Sequence, residues 1–178
     1  QQVRKQNPHF LRDEVEVTVE TRLGFPLFWG LGSSSSLIYN VAQWAYVSPF
    51  ELLFKTHGGS GYDIACAQSD GPIAYKKQTS GPNWSPIYFD PPFKENLYFV
   101  YQGKKQNSRD AIKEYNKKRP VDPTLIARIT ELTQAFINAT DLKTFQSLML
   151  EHEQILSKTL DMPMVKEQRF SDFNGAIK

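Results

Sequence analysis

The sequence predicts an α+β fold, because segments with the residue pattern of strands occur beside longer segments with the apolar period of helices. Residues 13–21 (DEVEVTVET) alternate valine with acidic residues and threonine, which predicts a half-buried strand. Residues 97–101 (LYFVY) are aromatic and β-branched, which predicts a buried strand. Between them, Leu37, Val41 and Ala45 recur every four residues and predict the apolar face of a helix.

Proline and glycine divide this chain of 178 residues into segments. The stretch 81–92 contains four prolines and one glycine, and we expect it to hold a domain boundary and a short strand over 87–89. The predicted domains are therefore residues 1–93 and 94–178.

Capping residues indicate where other helices begin. Ser48 followed by Pro49 predicts the start of a short helix, and Asp122 followed by Pro123 predicts another. A serine run, Ser33–Ser36, is expected to form the first turn of the helix described above. The remaining predictions are a loop over 24–32, a glycine-rich turn over 57–61, a short helix over 64–67, a strand over 72–75, a helix over 108–118 and a helix beginning near Asp141.

The composition argues against several classes of function. Lys and Arg number 21 and Asp and Glu 19, so the formal net charge is only +2 and no nucleic-acid partner is expected. Cys66 is the one cysteine, so no internal disulfide is expected and a reducing, cytoplasmic setting is the default. The longest uncharged stretch, residues 23–50, contains two prolines and three glycines, so we expect no membrane partner.

Residues Gly30–Ser36 (GLGSSSS), called the first turn, are the most informative segment. Glycines let a backbone approach a ligand closely, and the start of a helix carries unpaired N–H groups and partial positive charge. These features favour a phosphate site, where serine hydroxyls add hydrogen bonds or coordinate a hard cation such as Mg²⁺. A serine-capped helix without any ligand is equally compatible with these residues, whereas the helix that follows disfavours a flexible linker.

Ser60–Asp63 (SGYD), called the second turn, is also glycine-containing. Its S-x-x-D pattern before an apolar run favours a capping box, in which Asp63 only stabilises the start of a helix. The alternative is that Asp63 accepts a proton from a substrate hydroxyl or positions cations around phosphates. Tyr62 stands where a serine-hydrolase elbow needs its second glycine, so that elbow is excluded, and His57 is interpreted as a polar loop residue.

In this order and at this spacing, the two turns resemble the GHMP family of small-molecule kinases. Residues 26–34, from Pro26 through the first glycines and serines, resemble the phosphate-binding motif of the family. The second turn resembles the Ser-Gly-x-Asp segment that carries the catalytic aspartate, and GYDIA at 61–65 is similar to a bacterial subgroup. Residues 59–75 are closer to the phosphomevalonate kinase branch than to galactokinase.

The resemblance implies a fold, which is an N-terminal βαβ-rich nucleotide-binding domain followed by a ferredoxin-like α+β domain. Residues 1–93 and 94–178 would then be parts of these two domains. The N-terminal lysine-containing strand and the C-terminal glycine-rich loop of the family do not occur in this sequence, so both domains are expected to be truncated and the fragment alone to be inactive.

The implied reaction transfers the γ-phosphoryl group of ATP, with Mg²⁺, to an alcohol or phosphate of a small metabolite similar to mevalonate or phosphomevalonate. Asp63 is the expected catalytic residue, Ser34 the residue near Mg²⁺ and Gly61 a substrate contact. The sequence departs from the family motif at residues 27–29 (LFW), where a small residue is usual. The expected nucleotide-phosphate site consists of Gly30, Leu31, Gly32, Ser33, Ser34 and Ser35.

Basic residues between 104 and 119 are interleaved with acidic ones, which is typical of a solvated helix. The functional alternative is that Lys105, Ser108 and Arg109 contact an anionic substrate or a nucleotide phosphate. Glu51 is interpreted as a solvated helix position rather than a second metal-binding acid, and Cys66 as a packed thiol. The alternative function is a non-catalytic module that keeps this fold and binds a nucleotide or another anion.

Overall fold

A computed structural model describes residues 1–13, 16–103, 108–117 and 122–178. The described chain divides into two compact units, the first within Gln1–Tyr88 and Tyr101–Gln106 and the second within Phe89–Val100 and Asn107–Lys178. Helices and an antiparallel sheet are both present, so the predicted mixture of α and β structure is confirmed. The assignment of residues 1–93 and 94–178 to two domains stays a prediction.

The regular elements follow one another along the chain in two groups. The first unit contains α1 (Gln2–Gln6), α2 (Ser33–Ala45), α3 (Pro49–Thr56), α4 (Tyr62–Ala67), β1 (Ile73–Gln78) and β2 (Gly81–Pro86). The second contains α5 (Ser108–Lys117), α6 (Pro123–Ile137), α7 (Leu142–Leu160) and α8 (Val165–Arg169). Short 3₁₀ helices cover Leu27–Trp29 and Lys94–Asn96.

Side-chain caps explain where α3, α6 and α7 begin. Ser48, Asp122 and Asp141 each accept a hydrogen bond from a backbone N–H two or three residues later, at 3.3, 2.8 and 2.8 Å. These bonds hold the pKa of both aspartates below the usual value of a carboxyl group. The predicted starts of these three helices are confirmed. None of the described helices is both long enough and apolar enough to cross a membrane.

Helices α2, α3 and α4 pack around one hydrophobic cluster in the first unit. Its buried members are Ile38, Ala42, Leu52, Leu53 and Ile64. Burial of one Leu or Ile side chain contributes about 1.5–3 kcal/mol, so this small cluster is what holds the three helices together. The buried face of α2 includes Ile38 and Ala42, which lie beside the predicted apolar positions, whereas the predicted Leu37 is 48% exposed.

β1 and β2 form an antiparallel hairpin, in register from Ile73 opposite Pro86 to Gln78 opposite Gly81. The strand predicted over 72–75 is confirmed with later bounds, whereas the strand predicted over 87–89 is wrong. The partner of β1 is β2, which the sequence does not predict as a strand because it contains a glycine and two prolines. Proline is tolerated there because both strands of a two-stranded sheet are edges.

The strands predicted over 13–21 and 97–101 are also wrong. The described residues 16–21 and the whole of 97–101 lie outside any strand, and most of their side chains are exposed. Tyr98 is 81% exposed, which also corrects the expectation that this aromatic segment forms a core. A strand needs a neighbour for its N–H and C=O groups, and within the described residues β1 and β2 pair only with each other.

In the second unit, α6 and α7 are joined by apolar and charged contacts. Leu132 is fully buried, and the rings of Phe136 and Phe145 meet edge to face at 5.1 Å between centroids. Arg128 on α6 donates to both carboxylate oxygens of Glu151 on α7, at 2.7 and 2.9 Å. This bidentate pair raises the pKa of Arg128 and lowers the pKa of Glu151. The two helices predicted to begin at Asp122 and near Asp141 therefore pack as a pair.

Candidate functional site

The first turn is built by a short 3₁₀ helix and two left-handed glycines. After the 3₁₀ residues Leu27–Trp29, Gly30 and Gly32 have φ values of +79° and +77°. Residues with a side chain rarely adopt this conformation. A Cβ atom added at either glycine would meet no heavy atom within 4 Å. The backbone conformation, rather than crowding, is therefore the reason for glycine at both positions.

The start of α2 leaves backbone donors without partners. Ser36 is the first serine with an internal acceptor, since its N–H donates to the Gly32 carbonyl at 3.0 Å and its hydroxyl donates to the same oxygen at 3.1 Å. Gly32 is the N-cap and no side chain caps the helix. Among the described residues, the N–H groups of Ser33, Ser34 and Ser35 have no acceptor. The serine-capped interpretation is therefore wrong, although the predicted first turn is confirmed.

The serine hydroxyls of the first turn differ in exposure. Ser33 and Ser35 are only 7% and 9% exposed, whereas Ser34 is exposed. None of the three hydroxyls has a hydrogen-bond partner within the described part of the chain. A hydroxyl without a protein partner can donate to a ligand, so these hydroxyls and the three free N–H groups beside them form a set of unused donors. The exposed Ser34 oxygen is of the type that Mg²⁺ accepts as a ligand.

The second turn begins α4 in a different way from the predicted capping box. Gly61, with φ of +89°, is the N-cap of α4, and no side chain caps this helix. The Ser60 hydroxyl accepts a hydrogen bond from the Tyr62 N–H at 3.3 Å, one residue short of the position that a capping box requires. The capping-box interpretation of Asp63 is therefore wrong, because the left-handed glycine moves the start of the helix by one residue.

Side chains from α3 and β1 enclose the second turn. The Tyr75 hydroxyl donates to the Ser60 carbonyl at 2.5 Å, and the Lys77 ammonium donates to the Gly59 carbonyl at 3.1 Å. A Cβ atom at Gly61 would lie 3.1 Å from the Tyr75 hydroxyl oxygen and 3.2–3.3 Å from two phenylalanine rings of α3. Gly61 thus has a packing role, and its predicted contact with substrate stays a prediction.

Asp63 is exposed on the first turn of α4. Among the described residues its carboxylate makes no hydrogen bond and no ion pair. Burial is the main cause that raises the pKa of the neighbouring Tyr62, followed by its hydrogen bond with Cys66. The charges of Cys66 and Asp63 raise this pKa further. An unpaired, solvent-accessible carboxylate is able to accept a hydrogen bond or a proton from a bound hydroxyl.

The two turns belong to helices that share a core. Ser34 lies one helical turn before Ile38 of α2, and Asp63 directly precedes Ile64 of α4, and both isoleucines belong to the same cluster. Within the described residues, no hydrogen bond, ion pair or ring contact joins residues 30–35 with residues 60–63. The cluster therefore connects the helices that carry the turns, without a direct polar link between the turns themselves.

The other predicted site residues are described in part. Lys105 lies outside the described residues, and Ser108 and Arg109 are described only as the first two residues of α5. Glu51 is exposed and forms an ion pair with Lys55 one turn later, so its interpretation as a solvated helix position is confirmed. Cys66 is exposed, so its interpretation as a packed thiol is wrong.

A ring pair beside the first turn was not predicted from the sequence. The centroids of Trp29 and Tyr101 are 6.0 Å apart with planes inclined by 30°. No local pattern of the sequence predicts this contact, because Trp29 and Tyr101 are 72 positions apart. The contact was not foreseen because Tyr101 was assigned to a buried strand.

Comparison with known proteins leaves this site to be interpreted from its own geometry. No family model matches the chain, and neither curated proteins nor solved structures give a significant match. Within the described ranges, no group of three or more His, Cys, Asp or Glu residues could hold a metal ion.

Proposed function

We propose that the chain is part of a kinase of the GHMP type, which binds ATP through the first turn. In the proposed reaction, the γ-phosphoryl group of ATP is transferred to an alcohol or phosphate group of a small metabolite. The observation that carries this proposal is the start of α2, where three N–H groups and three hydroxyls of Ser33–Ser35 have no partner among the described residues. The fold proposed with it is the GHMP arrangement of a nucleotide-binding domain and a ferredoxin-like domain.

Charge and geometry at this helix start favour a phosphate ligand. The first turn of α2 contains no acidic side chain, so no carboxylate of that turn repels an anion. The helix dipole adds partial positive charge at the same end, and free N–H groups are short-range donors to phosphate oxygens. Gly30 and Gly32 leave the space beside the backbone empty, since a Cβ there would have no neighbour within 4 Å.

Mg²⁺ is the expected cofactor of the bound nucleotide. When bound, it neutralises phosphate charge and helps to orient the group that is transferred. It usually keeps several waters and takes its other ligands from phosphates and one or two protein oxygens. Ser34 fits this need for a single protein oxygen, because its hydroxyl is exposed and without a partner in the described chain.

Asp63 is the proposed catalytic residue. Its unpaired carboxylate suits the acceptance of a proton from the hydroxyl of the phosphoryl acceptor. In phosphoryl transfer the protein mainly positions groups and stabilises charge, so a few well-placed polar groups suffice.

A non-catalytic nucleotide- or anion-binding module is the second candidate. The lack of any polar or ring contact between the two turns, among the described residues, favours it. In that case the first turn binds phosphate while Asp63 has no reacting group to act on.

The test of phosphate binding is a calorimetric titration of the chain and two matched serine variants with MgATP. Ser34→Ala removes a free hydroxyl, and we expect it to weaken binding by about 10-fold. Ser36→Ala is the control, because its hydroxyl is already bonded to the Gly32 carbonyl. Equal affinities of the two variants would exclude the Ser34 hydroxyl as a ligand contact, and no binding by the unaltered chain would overturn the proposal.

The test of catalysis uses the protein with its full natural sequence. Asp63→Asn should abolish transfer to alcohol or phosphate acceptors while MgATP binding is retained. Unchanged turnover in Asp63→Asn would remove its catalytic role. Binding of MgATP without turnover by the unaltered protein would support the non-catalytic module instead.

A further inference from the structure

We infer that Trp29 and Tyr101 form a stacking surface for the base of the bound nucleotide. This inference rests on the proposed function, because it adds a base site beside the proposed phosphate site. Both residues belong to the first unit, and Trp29 directly precedes Gly30 of the first turn.

The ring pair is an accessible aromatic surface rather than part of a core. Trp29 is 48% exposed and Tyr101 is 45% exposed, although their centroids are only 6.0 Å apart. Their planes are inclined by 30°, so the two rings are tilted against each other. The two rings therefore present neighbouring exposed faces on which a flat ligand can stack.

The spacing of the rings decides how a base would bind. Insertion between two rings requires about 7 Å, because carbon atoms in contact are about 3.5 Å apart on each side. The separation of 6.0 Å is too small for insertion. The base therefore stacks on an exposed outer face of the pair.

The position of Trp29 relative to the free donors suits a nucleoside triphosphate. Ser33 lies four positions after Trp29, so the chain between them spans at most about 14 Å. A ribose and three phosphates bridge a comparable distance between a base and the terminal phosphate.

Stacking on an aromatic face recognises the π-surface of a base and not its hydrogen-bonding edge. We therefore expect ATP and GTP to bind with similar affinity. Loss of a stacking ring should weaken the binding of either nucleotide by about 5-fold to 100-fold. Tripolyphosphate has no base, so its affinity should not depend on the ring.

The test titrates Mg²⁺ complexes of ATP, GTP and tripolyphosphate into the chain and three variants. Trp29→Leu removes the ring, Trp29→Phe keeps an aromatic face, and Phe28→Leu is the matched control. Phe28 is also exposed and adjacent, but it has no ring contact among the described residues. We expect Trp29→Leu to lose affinity for both nucleotides and to keep its affinity for tripolyphosphate. Trp29→Phe should recover most of the loss, and Phe28→Leu should bind like the unaltered chain.

The outcomes separate this inference from the proposed function. Unchanged nucleotide affinity in Trp29→Leu would overturn the stacking surface while leaving the phosphate site intact. Equal losses for nucleotides and tripolyphosphate would also overturn it, since the variant would then have damaged the first turn. If neither ATP nor tripolyphosphate binds the unaltered chain, the proposed function and the stacking surface both fail.

Discussion

The first and second turns contain the same kinds of residue, yet the chain uses them for opposite purposes. Each combines left-handed glycine with serine at the start of a helix. At Gly30 and Gly32 a side chain would touch nothing within 4 Å, whereas at Gly61 it would press on a tyrosine and two phenylalanines. The first turn has free donors, whereas Tyr75 donates to the Ser60 carbonyl of the second turn and Lys77 donates to the Gly59 carbonyl just before it.

A glycine–serine motif therefore does not by itself define a ligand site. What separates the two turns is whether neighbouring elements cover the backbone. α3 and β1 cover the second turn, so its glycine serves packing. None of the described residues supplies an acceptor to the N–H groups of Ser33, Ser34 and Ser35, so these donors of the first turn are available to a ligand.

Alanine at the two helix-capping glycines should give the largest effect. Gly61→Ala combines a left-handed backbone penalty with crowding, and we expect a loss of about 3 kcal/mol in the free energy of unfolding. Gly32→Ala carries only the backbone penalty, and we expect a loss of about 1–2 kcal/mol. Urea denaturation of both variants measures the difference.

A double variant identifies the source of that difference. The nearest atom to a Cβ at Gly61 is the Tyr75 hydroxyl oxygen at 3.1 Å. Adding Tyr75→Phe should relieve part of the loss in Gly61→Ala, whereas it should not change the loss in Gly32→Ala. Equal losses in the two single variants would show that covering by α3 and β1 has no energetic consequence.

The opposite end of α2 provides a smaller test of left-handed positions. Tyr46 ends this helix with φ of +53° and is 91% exposed, so a residue with a side chain stands where glycine is favoured. We expect Tyr46→Gly to raise the free energy of unfolding by about 1 kcal/mol, because it relieves the strain without removing a buried contact. A thermal melt that shows no gain would indicate that other contacts compensate for the strain.

The smallest expected effect is a loss of folding stability at alkaline pH, which should arise at the second turn and not at the first. Burial raises the pKa of Tyr75, whose hydroxyl bonds to the second turn, while the first turn contains no titratable side chain. The protonated phenol is favoured in the folded state, so its contribution is complete below about pH 10, the unfolded value, and is lost as the pH rises through the higher folded value.

Urea denaturation between pH 8 and 11 measures this loss, and Tyr75→Phe is the control. The free energy of unfolding of the unaltered chain should fall more steeply above pH 10 than that of Tyr75→Phe. Parallel pH curves would mean that ionisation of Tyr75 is not coupled to folding.

Helices were well predicted because their signals are local. The caps at Ser48, Asp122 and Asp141 lie within three residues of the groups that they satisfy, and apolar periodicity predicts α2. Strands depend on distant partners, so alternation over 13–21 and aromatic content over 97–101 predicted strands that do not form. Only β1 of the hairpin is predicted from the sequence, since β2 is composed largely of residues that are typical of turns.

The candidate site was predictable to the same extent. The glycines and serines of the first turn are local signals for a helix start, so the sequence predicts where α2 begins. The capping role of Asp63 failed because Gly61 adopts a left-handed conformation that the pattern S-x-x-D does not encode. The pair of Trp29 and Tyr101 joins residues 72 positions apart, and no local pattern predicts such a contact.

The exposed segment over 97–101 affects how the protein behaves at high concentration. Phe99 is fully exposed, and neither it nor its neighbours from Leu97 to Gln102 carry a charge. Short uncharged segments with such side chains promote sheet formation between molecules, so we expect concentrated samples to aggregate first through residues 97–102. A lysine introduced at Phe99 would act as a solubilising gatekeeper, because that ring contributes no packing to the native state.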